Sequence, residues 1–208
     1  MSAAPGASGA STSPSAPWAT ACVSLAAVAC FFWPDSVRVL AYDRQLALDG
    51  SVWRFWTSNV VHFSGSHLAW NLAVFLPAGV WLERILPGRA AWLCLLTPGL
   101  TGLALLLAEP DLQTYAGLSG LATAALTSLA LTQLTRAAPG ERRWWRLVLG
   151  LVALKIVIEA AQSRPLFATF TDGEVRPVLL AHLMGVACAL ALHRRWWRDR
   201  KAGSPDRS

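Results

Sequence analysis

The chain has 208 residues, only 14% of them charged, and a mean hydropathy of +0.42. A soluble domain usually carries about 25% charged residues, so this composition excludes an ordinary water-soluble globular protein. The formal net charge of +6 would suit nucleic acid binding, but the basic residues are concentrated between apolar stretches and at the carboxyl end.

Residues 1–17 are rich in Ala, Ser, Gly and Pro and are predicted to be a disordered tail. They lack the Lys or Arg that a secretory signal peptide carries, so the first apolar stretch is predicted to remain as a span. Six stretches approach the roughly 20 mostly apolar residues that a membrane-spanning helix needs. They are residues 17–33, 67–86, 90–108, 117–134, 144–161 and 176–193.

These stretches predict an all-α membrane protein, with a six-helix domain over residues 18–196 and a basic cytoplasmic tail over residues 197–208. With the amino terminus inside, the inner segments hold twelve Lys and Arg and the outer segments hold five. Multi-pass membrane proteins show this excess on their cytoplasmic side. The basic tail is then explained by the anionic headgroups of the lipid bilayer, and no nucleic acid partner is expected.

The segment 34–66, between the first two stretches, interleaves aromatic side chains such as Trp53 and Phe63 with polar residues. It is too apolar for a solvated linker. We therefore expect an amphipathic structure that lies in the outer membrane interface.

Polar residues stand near the beginnings of three predicted spans that all start on the outer face. His67 and Asn71 begin the second span, Ser119 begins the fourth, and His182 lies about six residues into the sixth, ~9 Å deep. We therefore expect all four at one depth in the outer leaflet. Buried polar groups cost free energy in a membrane, so a shared functional site explains them better than coincidence does.

Each of these residues also has a structural interpretation. Ser119 alone would more often be a small residue at a helix contact, and His182 alone could be a hydrogen-bonded interior histidine. Asn71 could cross-link two helices. His62 and His67 could bind a metal ion, but no matching carboxylate or Cys accompanies them, so no metal site is expected.

A serine hydroxyl is a weak nucleophile that needs an adjacent base, and His182 is the best-placed candidate for activating Ser119. No Asp or Glu is expected at the same depth near His182, which favours a Ser–His dyad over a triad. Glu159, in the fifth span, is the one alternative that could orient His182.

Acyl transfer also needs hydrogen-bond donors for the tetrahedral oxyanion. His67, Asn71 and the free backbone N–H of Ser119 can supply them. Gly117 and Gly120 would let backbone and substrate approach Ser119 closely. In the sixth span, small residues at positions 181, 185 and 189 would let that helix pack against the fourth and bring His182 to Ser119.

Four motifs of this chain resemble those of the rhomboid family of intramembrane serine proteases over roughly residues 50–195. They are Trp53-Arg54, the His-x4-His-x3-Asn pattern of His62, His67 and Asn71, the segment Gly117-Leu118-Ser119-Gly120, and Ala181-His182-x-x-Gly185. The order and spacing of the motifs agree with the family, and the four together are specific.

The resemblance implies a six-transmembrane-helix rhomboid-like bundle with Ser119 as nucleophile and His182 as general base. It implies that His67, Asn71 and the Ser119 N–H form the oxyanion hole. A loop or structural role is implied for the remaining motif residues, which are Trp53, Arg54, His62, Gly117, Gly120 and Gly185. Three positions depart from the pattern. Ser58 stands where the family often has another His, Pro177 where a Gly is common four residues before the Ala-His, and Thr123 where there is often a Tyr under the base.

The implied activity is that of a serine endopeptidase cutting transmembrane or carboxyl-terminal anchor segments near the outer face of a bacterial inner (cytoplasmic) membrane. Membrane-anchored proteins would be its substrates, both termini would be cytoplasmic, and no cofactor is needed. The small six-span chain looks most like the rhombosortase branch. That branch is thought to process proteins with a carboxyl-terminal Gly-Gly, transmembrane and basic-tail signal.

Two other functions stay open on the sequence. A catalytically inactive rhomboid-like protein would bind membrane clients, although such proteins typically lose Ser119 or His182. A small transporter would need polar residues at the membrane midplane, where only Lys155 comes close. Lys155 and Glu159 lie four residues apart in the fifth span. They could neutralise each other's charge, or they could form a polar gate that contacts the substrate.

Overall fold

The computed structural model describes residues 16–162 and 178–202, and within these ranges the chain is almost entirely helical. The elements in chain order are α1 (Trp18–Phe31), α2 (Ser36–Leu40), β1 (Tyr42–Asp43), α3 (Arg44–Leu48), α4 (Arg54–Thr57), a 3₁₀ turn (Ser58–Val60), α5 (Gly65–Ile85), α6 (Pro87–Ala108), β2 (Thr114–Tyr115), α7 (Ser119–Arg136), α8 (Arg142–Gln162) and α9 (Leu179–Ala202).

Each of the six predicted spans coincides with one long helix, namely α1 or one of α5 to α9. In the described part of the chain, α6 is the one helix both long and apolar enough to cross a membrane by length and composition, and α1 is apolar but shorter. The helices α8 and α9, for example, carry several Arg and Lys residues. The all-α prediction agrees with the structure, and the number of six spans stays a prediction.

The predicted domain boundaries meet the described chain only in part. Residues 1–15 of the predicted tail lie outside the described residues, as do residues 163–176 of the predicted outer loop 162–176. At the other end, α9 continues to Ala202, beyond the predicted boundary at residue 196. The helix therefore extends into the segment that we predicted as a separate basic tail.

The segment 34–66 is folded onto the bundle. Its strand β1 pairs antiparallel with β2, with Tyr42 opposite Tyr115. The buried guanidinium of Arg54 donates hydrogen bonds to the carbonyl oxygens of Ala41, at 2.7 Å, and Arg38, at 3.2 Å. These contacts explain how an irregular loop with many backbone polar groups keeps one conformation, since buried carbonyls need partners.

The helix α7 lies at the centre of the bundle and packs against α5, α6, α8 and α9. Small residues occupy much of its buried surface, including Ala122, Ala124, Ala125 and Ala130. Between membrane helices, association depends on close packing because lipid tails are as apolar as the side chains. The small residues of α7 allow that close packing on several sides.

Helix α1 is attached to α5 by a buried carboxylate. Glu83 accepts hydrogen bonds from the backbone N–H groups of Ala19 and Thr20, each at 2.9 Å, and from the Thr20 hydroxyl at 2.8 Å. The first N–H groups of a helix lack partners within it, and its amino end attracts negative charge. The start of α1 thus meets α5 near its end, at Glu83, about 24 Å along α5 from His67 at 1.5 Å per residue.

Candidate active site

Ser119 is the first residue of α7 and is partly buried behind a tightly held turn. Gly117 adopts a φ of +136°, a conformation that L side chains rarely take. The Gly117 N–H donates to the Ser58 carbonyl at 2.9 Å, and the Leu118 N–H donates to His62 Nε2 at 3.3 Å. The turn before Ser119 is therefore fixed by the loop that precedes α5.

His62 is buried and accepts a hydrogen bond at Nε2, which requires an unprotonated nitrogen there. Burial and then the nearby His67 lower the pKa of His62 to about 3. The imidazole is therefore neutral at physiological pH. Its hydrogen bond links the loop before α5 to the turn before Ser119.

His67 lies directly against the turn that carries Ser119. A Cβ atom added to Gly117 would come within 2.6 Å of His67 Cε1 and 2.8 Å of its Nε2. The rings of His62 and His67 meet edge to face with centroids 5.0 Å apart. The Ser64 hydroxyl accepts from the His67 N–H at 3.2 Å and so fixes the start of α5 at this residue.

Asn71 follows His67 by one helical turn and is buried, with 7% of its surface exposed. Its amide nitrogen Nδ2 has no hydrogen-bond partner among the described residues. An unpaired buried donor costs free energy, and such groups in native proteins often have a functional explanation. The amide is thus a donor that a developing negative charge could use.

The first turns of α7 and α9 touch through their backbones. A Cβ atom added to Gly120 would come within 2.9 Å of the Ala181 carbonyl oxygen, and one added to Gly185 would overlap the Gly120 carbonyl oxygen. Ser119 and His182 are the chain neighbours of Gly120 and Ala181. The contact therefore brings together the two helix turns that carry the predicted nucleophile and base.

His182 is buried with a carboxylate at its side, contrary to our expectation from the sequence. Its Nδ1 lies 3.1 Å from Glu159 Oε2, and the same oxygen accepts from Lys155 Nζ at 2.6 Å. Lys155 Nζ is also within 3.5 Å of both ring nitrogens. The expectation that no carboxylate lies near His182 was wrong, and the residue found there is Glu159, which the sequence analysis named as the alternative. Glu159 near the end of α8 and His182 near the start of α9 occupy the same end of the bundle.

Tyr115 is a site residue that sequence reasoning missed. Its hydroxyl is buried and donates to the Gly117 carbonyl at 3.1 Å. Burial raises the pKa of Tyr115, and a hydrogen bond with Ser119 offsets part of that rise. The chain has two Tyr residues, both in predicted outer segments, and their pairing across β1 and β2 gave no signal in the sequence.

Two motif residues lie away from this cluster. Trp53 is 54% exposed at the start of α4. The Arg54 guanidinium donates its hydrogen bonds to carbonyl oxygens of the segment 34–66 and not to the cluster around Ser119. Thr123, where an aromatic ring would be expected from the resemblance, is buried on α7 with 9% of its surface exposed. The cluster around Ser119 is therefore built from α5, α7, α8, α9 and the two segments that precede α5 and α7.

Comparison with known families places this geometry in context. The family model of the Rhomboid domain matches residues 49–198 of the chain, which include every candidate site residue named here. No curated protein matches the chain.

The contact between α7 and α9 leads to a prediction about glycine. Gly185→Ala is expected to lower the free energy of unfolding by about 1–3 kcal/mol, because its methyl group would overlap the Gly120 carbonyl and force the helices apart. The change should be measured by thermal unfolding in detergent micelles. Gly150→Ala is the matched control, since nothing lies within 4 Å of a methyl group there.

We expect Gly150→Ala to leave stability unchanged or to raise it by up to about 1 kcal/mol through helix propensity. Equal stability of Gly185→Ala and the wild type would contradict the close helix contact.

Proposed function

The chain belongs to the rhomboid family, and from this premise we propose that it is an intramembrane serine endopeptidase of the Ser–His type. The family consists of integral membrane proteins. A protease site inside the membrane reaches membrane-anchored proteins, and we propose these as the substrates. The observation that carries the proposal is the backbone contact of Gly120 with Ala181, whose neighbours are Ser119 and His182. Both members of the proposed pair are present, which argues against an inactive client-binding protein.

The proposed reaction begins when Ser119 Oγ attacks the carbonyl carbon of the scissile peptide bond. The hydroxyl proton passes to His182, and the carbonyl oxygen becomes an oxyanion. When the C–N bond breaks, His182 returns the proton to the leaving amine and an acyl-enzyme remains. Water then attacks the ester carbonyl while His182 accepts the water proton. His182 passes this proton to Ser119 Oγ as the ester C–O bond breaks, which releases the carboxyl product and restores Ser119.

Oxyanion stabilisation in this mechanism comes from three donors at the outer end of α5 and α7. The Ser119 N–H is a free helix-start donor at the positive end of the α7 dipole. The proposal assigns the other two donors to Asn71 Nδ2 and the His67 ring, and the unpartnered Asn71 amide supports it. Fixed donors in a site with little water can contribute several kcal/mol to transition-state stabilisation.

We further propose that the site opens to the outer face of a bacterial inner membrane, with both termini in the cytoplasm. The distribution of basic residues supports this orientation. The meeting of the start of α1 with the end of α5 also supports it, because the amino end then lies far from the site.

A fluorophosphonate serine-hydrolase probe tests the nucleophile and the base. Wild type in micelles or bilayers is expected to be labelled, whereas Ser119→Ala and His182→Ala should lose labelling at equal folded amounts. Ser128→Ala is the matched control on the same helix, about 13 Å further along it. Its labelling should equal that of wild type.

If Ser119→Ala is still labelled, Ser119 is not the nucleophile. If only Ser128→Ala loses labelling, Ser128 is the reactive serine. A folded wild type that does not react would instead favour the inactive client-binding alternative.

Asn71 offers a separate test of the oxyanion hole. Asn71→Ala should lower the rate of proteolysis by about 100-fold to 1,000-fold, the usual effect of losing one such donor. Its thermal stability should stay close to that of wild type, because the amide nitrogen has no partner to lose. A loss of activity that only follows a loss of folded protein would count against the assignment.

The narrower assignment to the rhombosortase branch is a proposal about the substrate. A reporter that ends in Gly-Gly, an apolar span and a basic tail should be cut near the outer face, since its basic tail keeps that end inside. The control reporter carries Leu-Leu in place of Gly-Gly, and Ser119→Ala provides the inactive enzyme. Equal cleavage of both reporters would contradict the branch assignment, and cleavage on the inner side would contradict the orientation.

A further inference from the structure

The Glu159 carboxylate stands out because it is buried inside the bundle beside the proposed base. Its side chain is 4% exposed, and its Oε2 lies 2.6 Å from Lys155 Nζ and 3.1 Å from His182 Nδ1. An ionised carboxylate is costly in this environment unless it is paired and hydrogen-bonded. The two partners explain how the charge is tolerated there.

If Lys155 and Glu159 only neutralised each other's charge, they would not have to lie beside His182. Lys155 is four residues from Glu159 on the same helix and has 29% of its side chain exposed, so the two could pair toward the bundle surface. Instead the carboxylate is turned inward, toward the neighbouring helix α9, and one oxygen is shared between Lys155 and His182. This arrangement requires an explanation that involves the imidazole.

The nitrogen that Glu159 approaches is Nδ1. A carboxylate there accepts the Nδ1–H, so that Nε2 is the unprotonated nitrogen that can act as the base. Lys155 Nζ also lies 3.4 Å from Nε2, so the ammonium must release this nitrogen when Ser119 transfers its proton. In serine proteases of other folds a third group acts in this way, since it fixes the tautomer and orientation of the base and stabilises the imidazolium that forms. The distance of 3.1 Å is within hydrogen-bonding range.

Resting on the proposed function, we propose that Glu159 is a positioning residue that completes a Ser119–His182–Glu159 triad. Lys155 is the counter-charge of this carboxylate, and His182 is its second hydrogen-bond partner.

The charges of this arrangement balance throughout the reaction. The proposed mechanism starts with His182 unprotonated, as a general base must be, and with the Lys155 ammonium beside the Glu159 carboxylate. When Ser119 attacks, its proton moves to His182 and one positive charge appears there, while one negative charge appears on the substrate oxyanion. The site as a whole stays neutral, which matters because an unbalanced charge is expensive in a low-dielectric environment.

The test uses the full chain and the kinetics of reaction with a fluorophosphonate probe. In that reaction Ser119 Oγ forms a bond to phosphorus, the P–F bond breaks and fluoride leaves. The hydroxyl proton passes to His182, so the maximal rate reports on the base while half-saturation reports on probe binding. Glu159→Gln should lower the maximal rate by about 10-fold to 1,000-fold, with half-saturation changed by no more than about twofold.

Two further variants separate positioning from the mere neutralisation of Lys155. The double variant Lys155→Met/Glu159→Leu removes both charges and leaves no unpaired ion, so it should fold and still be as slow as Glu159→Gln. Lys155→Met alone keeps the carboxylate beside His182 and should retain more of the rate than the double variant. Glu83→Gln is the matched control, because it alters a second buried carboxylate that contacts α1 and not His182.

We expect Glu83→Gln to lower the melting temperature and to leave the rate of the folded protein unchanged. A double variant as fast as wild type would overturn the inference and leave the Ser–His proposal standing. The inference is also overturned if Lys155→Met is as slow as the double variant, or if Glu83→Gln slows the reaction equally. A folded wild type that never reacts would overturn the proposed function and the inference together.

Discussion

The close contact of α7 with α9 is the constraint on which the candidate site depends. Gly120, Ala181 and Gly185 bring two helix backbones so near that a methyl group at either glycine would meet a carbonyl oxygen. In a lipid environment no hydrophobic force draws helices together, so association depends on packing of this kind. Ser119 precedes Gly120 and His182 follows Ala181 in the chain. The same parts of α7 and α9 therefore provide the close packing and carry the residues of the proposed chemistry.

The second requirement is a rigid approach to Ser119. The turn at Gly117 is held by the Ser58 carbonyl, by His62 and by the Tyr115 hydroxyl, and the His67 ring fills the space that a side chain at 117 would occupy. These partners come from segments before α5 and before α7. The long folded segment after α1 is thus part of the support of the site, and its amphipathic composition reflects that role.

Much of the helical framework could be predicted from the sequence, because apolar composition over about 20 residues determines helix position directly. The proximity of His67 to the Ser119 turn could also be predicted, because both residues stand near the beginnings of helices that start on the same side. The contact of Glu159 with His182 could not be predicted beyond naming Glu159 as an alternative, because it depends on how α8 and α9 are rotated about their axes. Nor could the Glu83 contact with α1 or the two-residue pairing of Tyr42 with Tyr115, which are long-range contacts without a local pattern.

The two buried glutamates show how one fold can use the same side chain in two ways. Glu83 is surrounded by backbone N–H groups and a hydroxyl, and none of these donors titrates near neutral pH. The donors around it therefore do not change near neutral pH, as suits a residue that joins two helices. Glu159 instead faces an amine and an imidazole, and an imidazole gains or loses a proton near neutral pH. Of these two carboxylates, only Glu159 can therefore respond to proton transfer, and it lies beside the histidine to which the proposed mechanism delivers the proton.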